Sequence, residues 1–152
     1  MELFWCQNDH PDFTLLTEQL DAYLREAQGG CHASFAPYNA AHLLAAAAVL
    51  YDGSNPVACG GLKLHEGGQV AEVKRMFVLP DHRGRGLAKT MLHALQEHAR
   101  TLGCTQLVLE TNASFTPAIS LYRQFGFEQI PNFGVYACMD SYCMGKTIPA
   151  QG

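Results

Sequence analysis

Long apolar runs are missing from this 152-residue chain. A membrane-spanning helix needs about 18 or more apolar residues in a row. The longest soft stretch, residues 43–50, is short and mostly alanine. The opening MELFWCQNDHPD has neither the basic start nor the apolar core of a secretion signal, so the expected location is cytoplasmic, with no membrane partner. Basic residues are also scarce. Ten Lys+Arg stand against 14 Asp+Glu, a net charge of −4, which argues against nucleic-acid binding by bulk charge. No C-x-x-C pair occurs, and Cys138 and Cys143, the closest cysteines, have no second pair to complete a metal site. The six cysteines read as reduced small hydrophobes. The seven histidines are scattered, and His93 and His98 lie five apart on a helix, the wrong spacing for one metal. No metal is expected.

What is present suffices for one folded unit. Hydrophobic residues make up 48% of the chain and charged residues 16%, so a core can form. The length fits a single domain, residues 1–152. Apolar and aromatic residues predict a strand over 2–6. Leu16, Leu20, Tyr23 and Leu24 recur at helical spacing and predict a helix over 11–28, ended by Gly29-Gly30. Residues 31–41 look irregular. Residues 43–51 are alanine-rich, which favours helix. The turn signal Asp52-Gly53-Ser54-Asn55-Pro56 and the apolar run over 57–64 favour a hairpin, and strand is the better reading. After a Gly67-Gly68 turn, a strand is expected over 70–79. Leu87, Met91, Leu95, Ala99 and Leu102 share one face of a helix over 87–102, capped by Gly103. A strand over 106–110 follows. A helix then opens with Thr116 as N-cap and Pro117 at its first position, and stops at Gly126. Strands over 127–130 and 142–148 close the chain. The fold class is α/β (α+β), with a mixed central sheet of about 6–7 strands.

The stretch EVKRMFVLPDHRGRGLAK, residues 72–89, runs strand, turn, helix. A helix start leaves backbone N–H groups without internal partners, and these with the helix dipole favour an anion. Glycines at 84 and 86 let a phosphate approach the backbone. Lys74, Arg75, Arg83, Arg85 and Lys89 are five of the ten basic residues, all within 16 positions. A local cationic patch on an acidic chain suits a small polyanion. Alternatively, this is a plain glycine turn with solvated arginines. It is neither a Walker loop nor the dinucleotide G-x-G-x-x-G.

At these residues the chain resembles the acetyl-CoA-binding core of the GNAT superfamily of N-acetyltransferases. The family pattern [QR]-x-x-G-x-[GA] is met by Arg83, Gly86 and Ala88 after Met76-Phe77-Val78. A second block, AISLYRQFGF, resembles the family's A-x-x-x-Y-x-x-x-G-F through Ala118, Tyr122, Gly126 and Phe127. The likeness runs from about Val57 to the end, while the first 50 residues match only in their strand-helix layout. The end of the chain resembles small bacterial-type members. The resemblance implies acetyl-CoA as cosubstrate. Backbone groups of Met76, Phe77 and Val78 would pair with the pantetheine amides like an added strand. N–H groups of Arg83, Gly84, Arg85, Gly86, Leu87 and Ala88 would hold the pyrophosphate, helped by Lys89. The thioester would lie between the strand ending near Leu79 and the strand over 106–110. Family members often carry an asparagine where this chain has Phe115; Asn112, three residues earlier, is expected to reach the cofactor instead.

Amine acetylation needs a neutral amine, stabilisation of the thioester oxygen and a partner for the leaving thiolate. Glu72 matches the strand position of the family's catalytic glutamate and is the candidate base; its bland alternative is a salt bridge to Lys74 on the same strand face. Glu110 is the reserve. Tyr122, one helical turn after Ala118, is the candidate acid, a phenol that stays protonated at neutral pH. Its alternative is a core tyrosine beside Phe125. Neither Cys59 nor Cys104 has an adjacent histidine at a convincing spacing for an acyl-enzyme, so direct attack in a ternary complex is expected.

The acceptor, a small-molecule or peptide primary amine, should meet the first helix, residues 31–41 and residues 131–141. Phe133, Tyr136 and Tyr142 are candidate pocket aromatics, and Glu18, Asp21 and Asp140 candidate acidic partners. Two other functions stay open: an idle CoA-binding sensor or scaffold, and an enzyme using another acyl-CoA. The resemblance also leaves a homodimer open.

Overall fold

The computed structural model describes residues 1–28, 44–65, 67–134 and 141–150. Seven strands form one mixed sheet. They are β1 (Glu2–Cys6), β2 (Ala46–Asp52), β3 (Asn55–Leu64), β4 (Val70–Val78), β5 (Gln106–Asn112), β6 (Glu128–Gln129) and β7 (Ser141–Thr147). The helices are α1 (Pro11–Gln28), α2 (Leu87–Thr101) and α3 (Thr116–Phe125), with a 3₁₀ turn at Pro80–His82. The order across the sheet is β1-β2-β3-β4-β5-β7-β6. Among the described strands only β4 and β5 run parallel.

Both faces of β2 are covered, which explains how an alanine-rich segment becomes a strand. Ala47 and Val49 pack with Phe13, Leu16 and Leu20 of α1. Ala48 and Leu50 belong to the other core, with Met91, Leu92 and Leu95 of α2. Burial on two faces and pairing on two edges outweigh alanine's helical preference.

Three sequence expectations shift. Helix α3 has Phe115, not Thr116, as its N-cap, with no side-chain cap bond; Pro117 therefore sits one place further in. The strand expected over 127–130 is only two residues long, because Phe127 is drawn into the core with Phe125 and Tyr122 around it. Gly29, Gly30 and residues 31–41 lie outside the described residues. Among the described residues no helix is long and apolar enough to cross a membrane.

The feature that opens the molecule is a bulge in β4. Lys74 pairs with Gly61 and Phe77 with Cys59, so two β4 residues face the single Gly60. Arg75 there has φ +59°, a conformation that costs an L-residue about 1–2 kcal/mol. Its buried guanidinium offsets this by donating to Thr17 O at 3.0 Å and Asp21 Oδ1 at 2.9 Å on α1. Opposite the bulge, a Cβ on Gly60 would lie 2.9 Å from Met91 Cγ, so glycine lets α2 seat here. Bulges bend and twist a strand. The β4–β5 pairing covers three residues, ending at Glu72↔Val108, after which the strands diverge.

Candidate active site

A cleft of about 740 Å³ fills the gap between the diverging strands. Its floor carries Glu72, Lys74 and Glu110. One wall is α1 through Leu20, Tyr23 and Leu24, and the other is α3 through Ala118, Leu121 and Tyr122. Its open end meets the start of α2.

That start leaves backbone N–H groups beside open space. Gly84 and Gly86 have φ +80° and +78°, and a Cβ on either would meet nothing within 4 Å. Backbone conformation therefore requires glycine there, and the space beside it is open. No side chain caps α2. The first bond runs from Thr90 N–H to Gly86 C=O, so the amides of Leu87, Ala88 and Lys89 precede the helical ladder.

Of the residues expected to hold a cofactor, Met76, Phe77, Val78, Arg83, Gly84, Gly86, Leu87, Ala88 and Lys89 line the cleft. Arg85 and Asn112 do not. The Arg85 guanidinium reaches Asp52 at 3.4 Å and His82 at 2.7 Å. The Asn112 side chain is turned into its own loop, where Oδ1 accepts from Ser114 N–H at 2.8 Å and Ser114 Oγ at 2.6 Å. It holds the β5–α3 turn. Arg83 folds inward. Its Nε donates to Val78 O at 3.1 Å, and its guanidinium lies 5.7 Å from the ring centres of both Tyr23 and Phe77. So one carbonyl expected to pair with pantetheine is already engaged by Arg83.

The two candidate catalytic groups share the cleft. Glu72 is buried, with Oε2 at 3.7 Å from Lys74 Nζ and Oε1 at 3.0 Å from His65 Nε2. The Lys74 contact is the salt bridge that strand alternation allowed. Burial lowers the pKa of Lys74, and Glu72 opposes that shift. Tyr122 packs edge-on to Phe127 at 5.8 Å. Burial, then the charge of Glu110, pushes its phenol up to about 12. Burial also lifts Glu110 to about 6; Ser141 and Lys74 pull the other way without cancelling it.

Among the pocket residues suggested for the acceptor, Asp21 is committed to Arg75. Tyr142 O–H accepts from Arg123, outside the cleft. Phe133 packs against His65, 5.7 Å between ring centres. Glu18 is exposed and does not line the cleft. Tyr136 and Asp140 lie outside the described residues. Sequence reading missed His65 as a partner of Glu72. The signal was the Gly67-Gly68 turn, whose register brings the end of β3 back over Glu72. Among the described residues no cluster of three metal-ligating side chains occurs.

A family model for the acetyltransferase (GNAT) family matches residues 3–127. The chain belongs to that family. An IAA acetyltransferase of Azospirillum brasilense is 39% identical to this GNAT chain over 80 residues, 53% of this chain and 52% of that one. The uncharacterized N-acetyltransferase YjgM of Escherichia coli is 43% identical over 61 residues, 40% of this chain and 36% of that one. The chain thus spans about half the length of the first relative and about a third of the second. A Klebsiella pneumoniae protein assigned as an acyl-CoA N-acyltransferase superposes with a TM-score of 0.81 at 27% identity, covering 97% of both chains. An aminoglycoside 6′-N-acetyltransferase complexed with coenzyme A has a TM-score of 0.70 at 16% identity, over 100% of this chain and 99% of that one, a likeness of fold.

The raised Glu110 makes stability pH-dependent in a definite direction. A carboxyl whose folded pKa exceeds its unfolded value contributes stability that is full below about 4.5 and lost as pH rises through about 6. Glu110→Gln removes that loss. The variant should be more stable than wild type by about 1 kcal/mol above pH ~7, and no different below pH ~4.5. Thermal unfolding across this range checks it; equal stability at neutral pH would contradict the buried, raised carboxyl.

Proposed function

We propose that this GNAT chain is an acetyl-CoA-dependent N-acetyltransferase that moves an acetyl group to a primary amine by direct attack in a ternary complex. The observation that carries the reading is the junction of two features in one cleft. An uncapped helix start with two positive-φ glycines opens onto strands that part, and a carboxylate and a protonated phenol stand at the parting.

The residues fit the cosubstrate. The open space at Gly84 and Gly86, with the leading amides of α2, suits a pyrophosphate, and Arg83 and Lys89 add charge. Beyond Glu72, β4 has no pairing to β5, so its edge at Met76 and Phe77 is available to an extended chain with amides. When bound, acetyl-CoA supplies an activated acyl group on a thioester. Glu72 accepts the ammonium proton and leaves a neutral nucleophile. Lys74 Nζ lies 3.7 Å from the Glu72 Oε2. Tyr122, with its phenol at about 12, keeps its proton throughout the working pH range and donates a hydrogen bond to the leaving sulfur. Glu110 gives the cleft a second carboxyl beside that phenol.

The test is CoA release across amino acids, polyamines, aminoglycosides and lysine-containing peptides, with product mass as the readout. An acetylated product supports the reading and names the acceptor class. Silence with acetyl-CoA binding intact would favour a CoA-binding sensor, and silence without binding would sink both. A longer acyl group in the favoured product would redefine the donor. With an acceptor in hand, Tyr122→Phe should lower kcat by about 10–100-fold while acetyl-CoA affinity stays within about twofold. Unchanged turnover would remove Tyr122 from the chemistry.

A further inference from the structure

Proton balance poses a question that Glu72 alone does not answer. A primary ammonium that becomes a secondary amide gives up two protons. One accounts for the thiol of released CoA, and the other must leave the protein in every turnover. Glu72 is only 3% exposed, so a proton placed on it has poor direct access to water.

We propose that His65 is the proton exit of Glu72. The geometry is direct: Glu72 Oε1 lies 3.0 Å from His65 Nε2, and the His65 side chain is 31% exposed. The pair joins a buried carboxylate in the cleft to an imidazole that touches solvent. His65 stands just past the end of β3, and its N–H bonds to Val70 O across the Gly67-Gly68 turn. The ring rests edge-on against Phe133, 5.7 Å between centres, which fixes its plane. The other Glu72 oxygen faces Lys74 Nζ at 3.7 Å, beyond hydrogen-bond distance, so of these two partners His65 is the one placed to take a proton. Lys63, opposite Glu72 in the β3–β4 register, Glu110, and Arg75 with its α1 partner Asp21 are further charged groups around the Glu72–Lys74 pair.

This proposal rests on Glu72 being the base. The N–H bond of the ammonium breaks as an O–H forms on Glu72. With the ring proton on Nδ1, that O–H breaks as an N–H forms at the Nε2 lone pair of His65. The imidazolium then loses its other ring proton to bulk water, and tautomer exchange through water resets the ring. No electron transfer or further reactant is needed. His65 touches neither substrate nor reacting atoms, so it is a relay and positioning residue.

The experiment follows product and protons together. Wild type, His65→Gln, His65→Ala and Glu72→Gln are mixed with acetyl-CoA and the fastest amine from the panel in a stopped-flow instrument containing a pH indicator. His65→Gln should keep its first turnover within about twofold of wild type, while steady-state turnover and proton appearance slow about tenfold. Acetyl-CoA Kd and kcat/KM should not change, so KM should fall together with kcat. Added imidazole should restore His65→Ala. Wild-type steady-state turnover in His65→Gln would overturn the proposal. So would a first turnover that falls in parallel, with no response to imidazole, which would mark a purely structural role. Glu72→Gln separates the two claims. If it keeps a wild-type first turnover, Glu72 is not the base and the parent reading fails. If it loses that turnover while His65→Gln is unaffected, only the relay fails.

Discussion

Gly86→Glu will bind acetyl-CoA about 10²–10³-fold more weakly than wild type, a loss of roughly 3–4 kcal/mol. Two effects combine. The new side chain projects into the space beside the α2 amides, where nothing lies within 4 Å of a Cβ. Its carboxylate then competes for the helix start and repels phosphate. The fold should survive with modest destabilisation, since φ +78° costs an L-residue about 1–2 kcal/mol. Gly53→Glu is the matched control. Gly53 also has positive φ, at +62°, and open surroundings, but it sits in the β2–β3 turn. It should lose similar stability and keep its affinity. Titration calorimetry with thermal unfolding of both variants decides the matter. Equal acetyl-CoA affinity in Gly86→Glu and wild type would remove the helix start from the cosubstrate site.

Glu72→Gln should lower kcat/KM for the amine by about 10²–10⁴-fold, the usual worth of a positioned general base. Glutamine keeps the volume and can still accept from Lys74 and donate to His65, so packing on the sheet face is preserved. Acetyl-CoA affinity should therefore hold. The loss should shrink as pH rises toward the amine's own pKa, because more acceptor then arrives neutral. A pH-independent loss would make Glu72 an electrostatic prop rather than a base. Little loss at any pH would shift the role to Glu110, whose pKa of about 6 suits a proton acceptor working near neutrality.

The parts legible in the sequence were those set by short-range chemistry. The span of α1 follows from apolar spacing, and the turn before α2 follows from glycines flanked by arginines. The β2–β3 hairpin was readable because its turn residues outvoted alanine propensity. The α3 start was misplaced by one residue, since Phe115 takes the cap position without contributing a side-chain bond. The side-chain partners of Arg85 and Asn112 were not readable from position. Those side chains meet Asp52, His82 and Ser114, and no linear pattern encodes such a rotamer choice.

Sequence by itself determined the element order, the glycine positions of the α2 start and the presence of Glu72 and Tyr122 in their two blocks. These depend on φ requirements and periodicities that act within a few residues. Tertiary structure alone decided where β4 leaves β5, because that parting depends on Arg75 being held by α1 while Gly60 admits α2. It alone joined Glu72 to His65, lifted Glu110 by burial and folded Arg83 over Tyr23. Each of these is a distance or a dielectric environment between residues far apart in the chain, and only packing of the whole sheet sets them.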